Sequence, residues 1–541
     1  MAMSQEYSGA IEEGLTVRLK VTLLVVVVLA ASGAYAQHDG ARNALRKVAA
    51  ERGGREDPSG KEADEKRQPR AWSADMLHVQ TIEACYKGNA AVAFELAKQA
   101  IDAGLPPQRL QAGPREALKP LHEHGPYREW MKDKAEELLH GPMLGAVTDS
   151  SASFWVRTAE EVDITIVLRP VPVESKKSDP LVGDSRTSAE QDFTAVVKVS
   201  GLATGKLYRY EILVNGKSVA SSEFATYPKQ NSSAKFRIAF GGGAGFTPKN
   251  ERMWNTIASH GPAALLMLGD NVYIDDPEEP VTQRFCYYRR QGQPDWRTLA
   301  SKTSVYSIYD DHDFGKNDCV PGPEIDQPAW KRTVWKIFKE NWNNPSYGGG
   351  EKQPGCWYDF YIGDVHFIML DCRYYRDLEG GSMIGPVQKE WLFDTLKNSK
   401  GKFKILASSV PFSKGVKPGS KDTWDGYSAE RQEIFKYLAD HGIEGVILMA
   451  ADRHRTDLRM MNPAGCYPLY EVMSSRLTNV HVHKMMDRAK GSRFIMGTTA
   501  LSFGMLDFDT TAEDPEVKYT MVTIDGAAAK SYTIKLSELS F

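Results

Sequence analysis

The spacing of apolar residues changes twice along this chain. Over 73–139, Met76, Ile82, Ala93, Phe94 and Leu96 recur at helical intervals, and Trp130 with Leu138-Leu139 falls in a later helix. Pro106-Pro107 and Gly113-Pro114 cut this stretch into short pieces, so the pattern predicts a small helical segment over 73–140. Beyond Gly141-Pro142 the chain becomes a series of short β-branched or aromatic runs at 144–148, 153–157, 164–168, 193–199, 207–214 and 222–226. Strands this short and close predict an antiparallel β-sandwich of the fibronectin III or immunoglobulin type over 141–230, with Trp155 and Tyr208 in its core. From Lys235 to the end, strands (236–240, 264–268, 304–309, 365–370, 403–407, 445–449) alternate with helices (249–259, 330–341, 387–398, 429–441) before a β-rich tail at 519–534. That alternation predicts a layered α/β domain over 235–541, with sheets flanked by helices.

The amino terminus reads differently. Arg18 and Lys20 precede an apolar run at 21–31, and Ala34-Tyr35-Ala36 follows as a small-x-small cleavage signal. We read 1–36 as a signal peptide with Gln37 as the mature terminus, which implies export to a periplasmic, cell-surface or secreted location. The run is too short for a comfortable membrane span, and the acidic stretch before it points to a translation start near Val17. Residues 37–72 are charged, glycine-containing and poor in large apolar residues, as in a flexible linker. With 67 basic and 70 acidic residues in 541, the chain has no global field to draw in nucleic acid or anionic lipid. Six cysteines in an exported chain leave room for one to three disulfides; the absence of a C-x-x-C pair argues against a structural zinc.

The chemistry gathers at strand ends. Leu268-Gly269-Asp270-Asn271-Val272-Tyr273, Ile308-Tyr309-Asp310-Asp311-His312-Asp313, Met369-Leu370-Asp371-Cys372-Arg373 and Met449-Ala450-Ala451-Asp452-Arg453-His454 each run from an apolar strand into a carboxylate. Helix caps and surface salt bridges account for one or two such ends, and Gly-Asp-Asn is also ordinary turn composition. Four ends of one composition fit a dinuclear metal site, in which two cations share oxygen ligands drawn from different strands. Oxygen-rich ligation with one histidine favours Ca²⁺, Mn²⁺ or iron over thiolate-bound zinc. Tyr273 is a phenolate ligand for a trivalent ion or else a packing residue.

Over 236–508 these motifs, together with Asn344-Pro345-Ser346-Tyr347 and Gly315-Lys316-Asn317-Asp318, resemble the alkaline phosphatase D (PhoD-like) metallophosphatases. The family carries a β-sandwich before its phosphatase domain, as 141–228 suggests. The resemblance implies that Asp270 bridges two metals, Tyr273 binds the iron-like position, Asp311 and Asp452 are ligands, and His454 is a ligand or its partner. It implies two or more metal ions, Ca²⁺ with Fe³⁺ or Mn²⁺. His312 would assist the leaving oxygen, and Asn317 would touch substrate. Arg373 would neutralise a phosphate oxygen, unless it is ion-paired with a strand-end carboxylate. One departure stands out: where the family has an iron-binding cysteine, this chain has Gly243 within Phe240-Gly241-Gly242-Gly243-Ala244-Gly245. The glycine run could offer backbone N–H groups to an anion instead.

The expected function is therefore an exported metal-dependent phosphoesterase using a metal-activated water. Its substrate would be a small-molecule or polymeric phosphoester, monoester or diester. The alternative is a degenerate, non-catalytic member that binds phosphate or a polyanion. Entrance-lining candidates are Arg289, Arg290, Trp424 and Asp425, each of which also reads as a solvated or packing residue. No nucleic-acid signature and no membrane span in the mature chain are expected, and the oligomeric state cannot be read.

Overall fold

The structure, a computed structural model, describes residues 45–47, 74–172 and 179–541. The signal peptide, and the linker apart from 45–47, lie outside the described residues. Five short helices come first: α1 (Ala74–Tyr86), α2 (Ala90–Asp102), α3 (Pro107–Ala112), α4 (Arg115–His122) and α5 (Gly125–Met131). Asn89 caps α2 by accepting the Val92 N–H at 3.2 Å. Pro107 opens α3, where a missing N–H costs nothing. α1 packs on α2 and α4, and α3 contacts the first strand of the next unit.

Seven strands follow: β1 (Leu138–Gly145), β2 (Ser151–Thr158), β3 (Asp163–Val171), β4 (Leu181–Arg186), β5 (Thr194–Ser200), β6 (Leu207–Val214) and β7 (Lys217–Ala225). They form two antiparallel sheets, ordered β1-β2-β5 and β4-β3-β6-β7. Alternation shows in β6, where Tyr208, Tyr210, Ile212 and Val214 turn inward. Leu138-Leu139 is a correction. The pair opens β1 rather than closing a helix, because every residue of that strand is buried and a continuous apolar run carries no period to tell the two apart. Pro142 is tolerated inside β1 because the β1–β2 register shifts between His140 and Met143.

The remaining strands are β8 (Lys235–Gly241), β9 (Ala264–Leu268), β10 (Ser304–Ile308), β11 (Tyr358–Ile362), β12 (Val365–Met369), β13 (Phe403–Ala407), β14 (Val446–Ala450), β15 (Thr456–Met461), β16 (Leu469–Ser474), β17 (Arg493–Thr498), β18 (Ser502–Asp509), β19 (Glu516–Thr523) and β20 (Ala528–Lys535). They build a six-stranded sheet, β10-β9-β8-β18-β19-β20, and a seven-stranded sheet, β11-β12-β13-β14-β16-β15-β17. The two meet where β16 packs on β18 and β8, and the Tyr519 hydroxyl donates across to the Met473 carbonyl at 2.9 Å. β8, β9 and β10 are parallel, as are β12, β13, β14 and β16. Their fully buried residues explain the near-continuous apolar runs of the sequence.

Around the sheets lie α6 (Met253–Ser259), α7 (Pro280–Gln291), α8 (Pro294–Ala300), α9 (Asp311–Phe314), α10 (Trp330–Asn341), α11 (Gly385–Asn398) and α12 (Ser428–Asp440). The entrance candidates Arg289 and Arg290 lie on α7. α7 shows no apolar stripe because its arginines and tyrosines are themselves buried. All six cysteines are free thiols, so no disulfide forms. Among the described residues no helix is long and apolar enough to cross a membrane.

Candidate active site

Gly269 turns the chain out of β9 at φ +95°, and a Cβ there would lie 2.5 Å from Cβ of Asp310, so only glycine lets the ends of β9 and β10 approach. Asp270 then takes φ +51°. Asp452 and His454 beyond β14 are also left-handed, at φ +65° and +44°. Non-glycine residues held in this region cost energy and concentrate at functional sites.

Asp270 Oδ2 accepts a hydrogen bond from the Tyr273 hydroxyl at 2.9 Å, and its Oδ1 is buried with no partner. The Tyr273 ring stacks on His312 with centroids 4.4 Å apart. His312 Nδ1 meets Asp275 Oδ1 at 2.5 Å. Ligand atoms of Asp270, Asp311 and His312 lie within 4.8 Å of one another, and so do those of Asp311, Asp318 and Asp422, which makes Asp311 common to both groups. Asp452, two residues beyond β14, is in neither group; burial raises its carboxyl pKa against the pull of Arg453 and Lys417, and Lys417 pairs with Asp318 and Asp422 of the second group. The His454 ring centroid is 6.5 Å from that of Tyr273. The residues expected as ligands therefore converge on one region from three strand ends.

Asp313 fixes the first two of those ends together. Its Oδ1 accepts the Val272 N–H at 2.9 Å, and its Oδ2 accepts the Asp310 N–H at 3.0 Å and the Asn271 amide at 3.3 Å.

Two expectations need correcting, and a third takes its stated alternative. Asp371, at the third strand end, joins neither acidic group: its oxygens accept from the Tyr309 hydroxyl and from the N–H groups of Cys356, Arg373 and Tyr374. It organises a turn. Arg373 takes its ion-paired alternative: it is fully buried, with Nε on Asp310 Oδ1 at 2.5 Å and Nη1 on Asp422 Oδ1 at 2.7 Å, a counter-charge to those carboxylates. The glycine run spends its N–H groups internally: Gly242 donates to Ser474, Gly243 to Gly269 and Ala244 to Asp270 carbonyls. Those three N–H groups are not available to an anion.

Asn317 is exposed in the loop after α9. The four entrance candidates take their packing alternative. Arg290 pairs with Glu251, Arg289 lies over Phe246 with its Cζ 4.6 Å from the ring centroid, Trp424 stacks on Phe412, and Asp425 pairs with Arg431. Sequence reasoning missed Asp275, Asp318, Asp422 and Lys417. Asp422 and Lys417 lie in the 413–427 loop, whose neighbouring Trp424 drew attention first.

The electrostatics follow from crowding. Burial, with repulsion from Asp311, Asp310 and Asp313, raises Asp270 well above the usual carboxylate pKa against the pull of His312. Burial alone would lower His312; the charges of Asp270, Asp311 and Asp275 outweigh it and hold the imidazole protonated. Burial raises Asp310 and Asp313 to about 7. Burial opposes ionisation of Asp422, but Arg373, Arg376 and Lys417 hold it well below the ordinary value. Burial and the cationic surroundings keep His454 neutral, and its Nδ1 has no hydrogen-bond partner. Buried carboxyl oxygens and an imidazole nitrogen without partners are donors suited to cations, so the residues present fit a metal centre.

The comparisons say what this fold and its strand-end cluster are similar to. Residues 238–494 match the family model described as PhoD-like phosphatase, and residues 135–232 match a domain of unknown function, DUF7800. Alkaline phosphatase D of Bacillus subtilis (strain 168) is 27% identical over 110 residues, 16% of this chain and 19% of that protein's length. A solved structure titled "Structure of PhoD" superposes with a TM-score of 0.63 at 16% identity, covering 73% of this chain and 90% of the other. A purple acid phosphatase from yellow lupin (Lupinus luteus) gives 0.54 at 13% identity, covering 74% and 75%. These two likenesses are of fold. Over 238–494 the chain is therefore similar to the PhoD-like phosphatases, and it spans about a fifth of the length of the curated relative it matches.

Proposed function

We propose that the protein is an exported metal-dependent phosphoesterase in which Asp270, Tyr273, Asp311, Asp452 and His454 hold two or more cations, Ca²⁺ with Fe³⁺ or Mn²⁺. The observation that carries this reading is the buried, partnerless Oδ1 of Asp270 at the meeting point of strand ends that each bring a ligand-type side chain. The cations, when bound, supply Lewis acidity and charge neutralisation at the phosphoryl group.

This chain's own residues do the rest. His312, protonated and fixed at Nδ1 by Asp275, is left with Nε2 to deliver a proton to the departing alkoxide. Arg373 acts through Asp310 and Asp311, setting their positions and offsetting their charge. Asn317 stands at the exposed rim, where it can meet the substrate. The helical segment, which ends before Leu138, and the sandwich that follows it to 230 precede a catalytic domain of 235–541. The signal-like 1–36 supports export, with maturation at Gln37.

The test combines metal content with hydrolysis of a phosphate monoester and a diester, before and after chelation. Hydrolysis that chelation abolishes and metal restores supports the reading, and the ratio of the two rates assigns the substrate class. Phosphate binding without hydrolysis of either ester, with metals supplied, would favour the non-catalytic alternative that Gly243 raises.

A further inference from the structure

The neighbourhood of Gly243 holds a second set of nitrogen donors. The imidazoles of His454, His481 and His483 meet with ring centroids 5.1 Å (His454 to His481), 5.0 Å (His454 to His483) and 4.8 Å (His481 to His483) apart, each pair near perpendicular. Three imidazoles bound through nitrogen to one ion at about 2.0–2.1 Å hold their centroids roughly 4.5–5.2 Å apart. Nε2 of His481 and Nε2 of His483 already face each other at 3.0 Å, the separation of neighbouring ligands on one ion. His454 is 6% exposed and its Nδ1 lacks a partner, as does the buried Nδ1 of His483.

The loop bearing the pair is fixed rather than draped. Asn479 and Thr478 donate their N–H groups to the Gly243 carbonyl at 3.1 and 3.4 Å, and Asn479 Oδ1 accepts the His481 N–H at 2.9 Å. A Cβ on Gly243 would stand 3.3 Å from His454 Nδ1, so the position where the family has its cysteine adjoins these rings.

We propose that His454, His481 and His483 form an imidazole metal position that takes the place of the absent thiolate. His454 closes it by turning its ring about the Cβ–Cγ bond. Three neutral nitrogens select a borderline divalent ion such as Zn²⁺, Co²⁺ or Fe²⁺ over Ca²⁺. His481 and His483 are ligands that the phosphoesterase reading does not use; only His454 is shared with it.

The full chain is stripped with chelator and titrated with Co²⁺ and with Zn²⁺, alone and in the His481→Gln/His483→Gln double variant. The wild type is expected to gain visible Co²⁺ bands at one equivalent that the variant loses, with Zn²⁺ affinity at that equivalent falling at least tenfold. In the unmodified chain, Zn²⁺ is expected to protect His481 and His483 from diethyl pyrocarbonate, read by mass spectrometry, which needs no folded variant. Equal Co²⁺ spectra in both proteins, or unchanged labelling with and without Zn²⁺, overturns the inference. Hydrolysis measured in parallel separates the two readings: protection without hydrolysis sinks the phosphoesterase alone, and hydrolysis without protection sinks only this site.

Discussion

Arg373 and Asp422 are 49 residues apart in sequence, yet Nη1 of one lies 2.7 Å from Oδ1 of the other, with neither side chain more than 1% exposed. Arg376 shares the same oxygen at 2.5 Å and Lys417 takes the second at 2.9 Å. Removing one partner of such a group leaves buried charge uncompensated, which costs about 3–5 kcal/mol. Asp422→Asn is therefore expected to lower unfolding free energy in urea by that order. A variant as stable as wild type would mean that the arginines do not depend on Asp422.

Asp270→Asn separates stability from activity. In metal-free protein burial and the neighbouring Asp311, Asp310 and Asp313 disfavour the Asp270 carboxylate, and an uncharged amide there removes that penalty. The chelated variant should melt at or above the temperature of the chelated wild type. Its phosphoester hydrolysis with metals supplied should fall by two orders of magnitude or more, since the proposed metal ligand has lost its charge. A variant that melts lower in chelator, or keeps its hydrolysis, contradicts this.

Restoring a cysteine at Gly243 is expected to fail. The residue sits at φ +64°, and a Cβ would lie 2.3 Å from the Ser475 carbonyl oxygen. Left-handed strain and the clash together cost on the order of 1–3 kcal/mol. Gly243→Cys should thus lower the melting temperature by several degrees. Gly243→Ala should do the same, which assigns the loss to Cβ rather than to sulfur. A Gly243→Cys protein that melts like wild type would show that the turn can reshape.

What could be read beforehand was decided by period and by composition. α10 spans Trp330–Asn341, the bounds expected from its apolar spacing, because a partly exposed helix writes its stripe into the sequence. α7 stayed hidden because ten of its residues, Arg289, Arg290 and Tyr288 among them, are buried, and polar residues hid the stripe that burial leaves. At the site, Asp270, Asp311, Asp452 and His454 were legible because an apolar strand ending in a carboxylate is a local signal. Asp275 and Asp422 were not, since each matters only through a partner, His312 or Arg373, 37 and 49 residues away. Arg373 was picked out for its guanidinium, with a phosphate oxygen and a strand-end carboxylate as its two alternatives, and the carboxylates of Asp310 and Asp422 are what it meets. Sequence cannot say whether a phosphate or a buried aspartate receives it.

Away from the site, His78 on α1 sets a pH dependence. It is fully buried, 5.3 Å from the Phe285 ring between centroids, with Nδ1 3.5 Å from Arg109 Nη2. The charged groups facing it are Arg109 and, behind that, Asp75 and Arg289. Burial, with the charge of Arg109, lowers its pKa from 6.5 to about 3, and Asp75 only partly opposes this. Above pH 6.5 the imidazole is neutral in both folded and unfolded chains and contributes nothing. As pH falls below 6.5 the unfolded chain takes up a proton that the folded chain refuses until about 3, so stability is lost across that window. One proton corresponds to a slope of about 1.4 kcal/mol per pH unit. His78→Leu should flatten the stability profile by about that slope between pH 4 and 6 and leave it parallel above pH 7, measured by urea unfolding. Carboxylates elsewhere titrate equally in both proteins and cancel in the difference. Identical slopes for the two proteins between pH 4 and 6 would show that His78 is charged in the folded state.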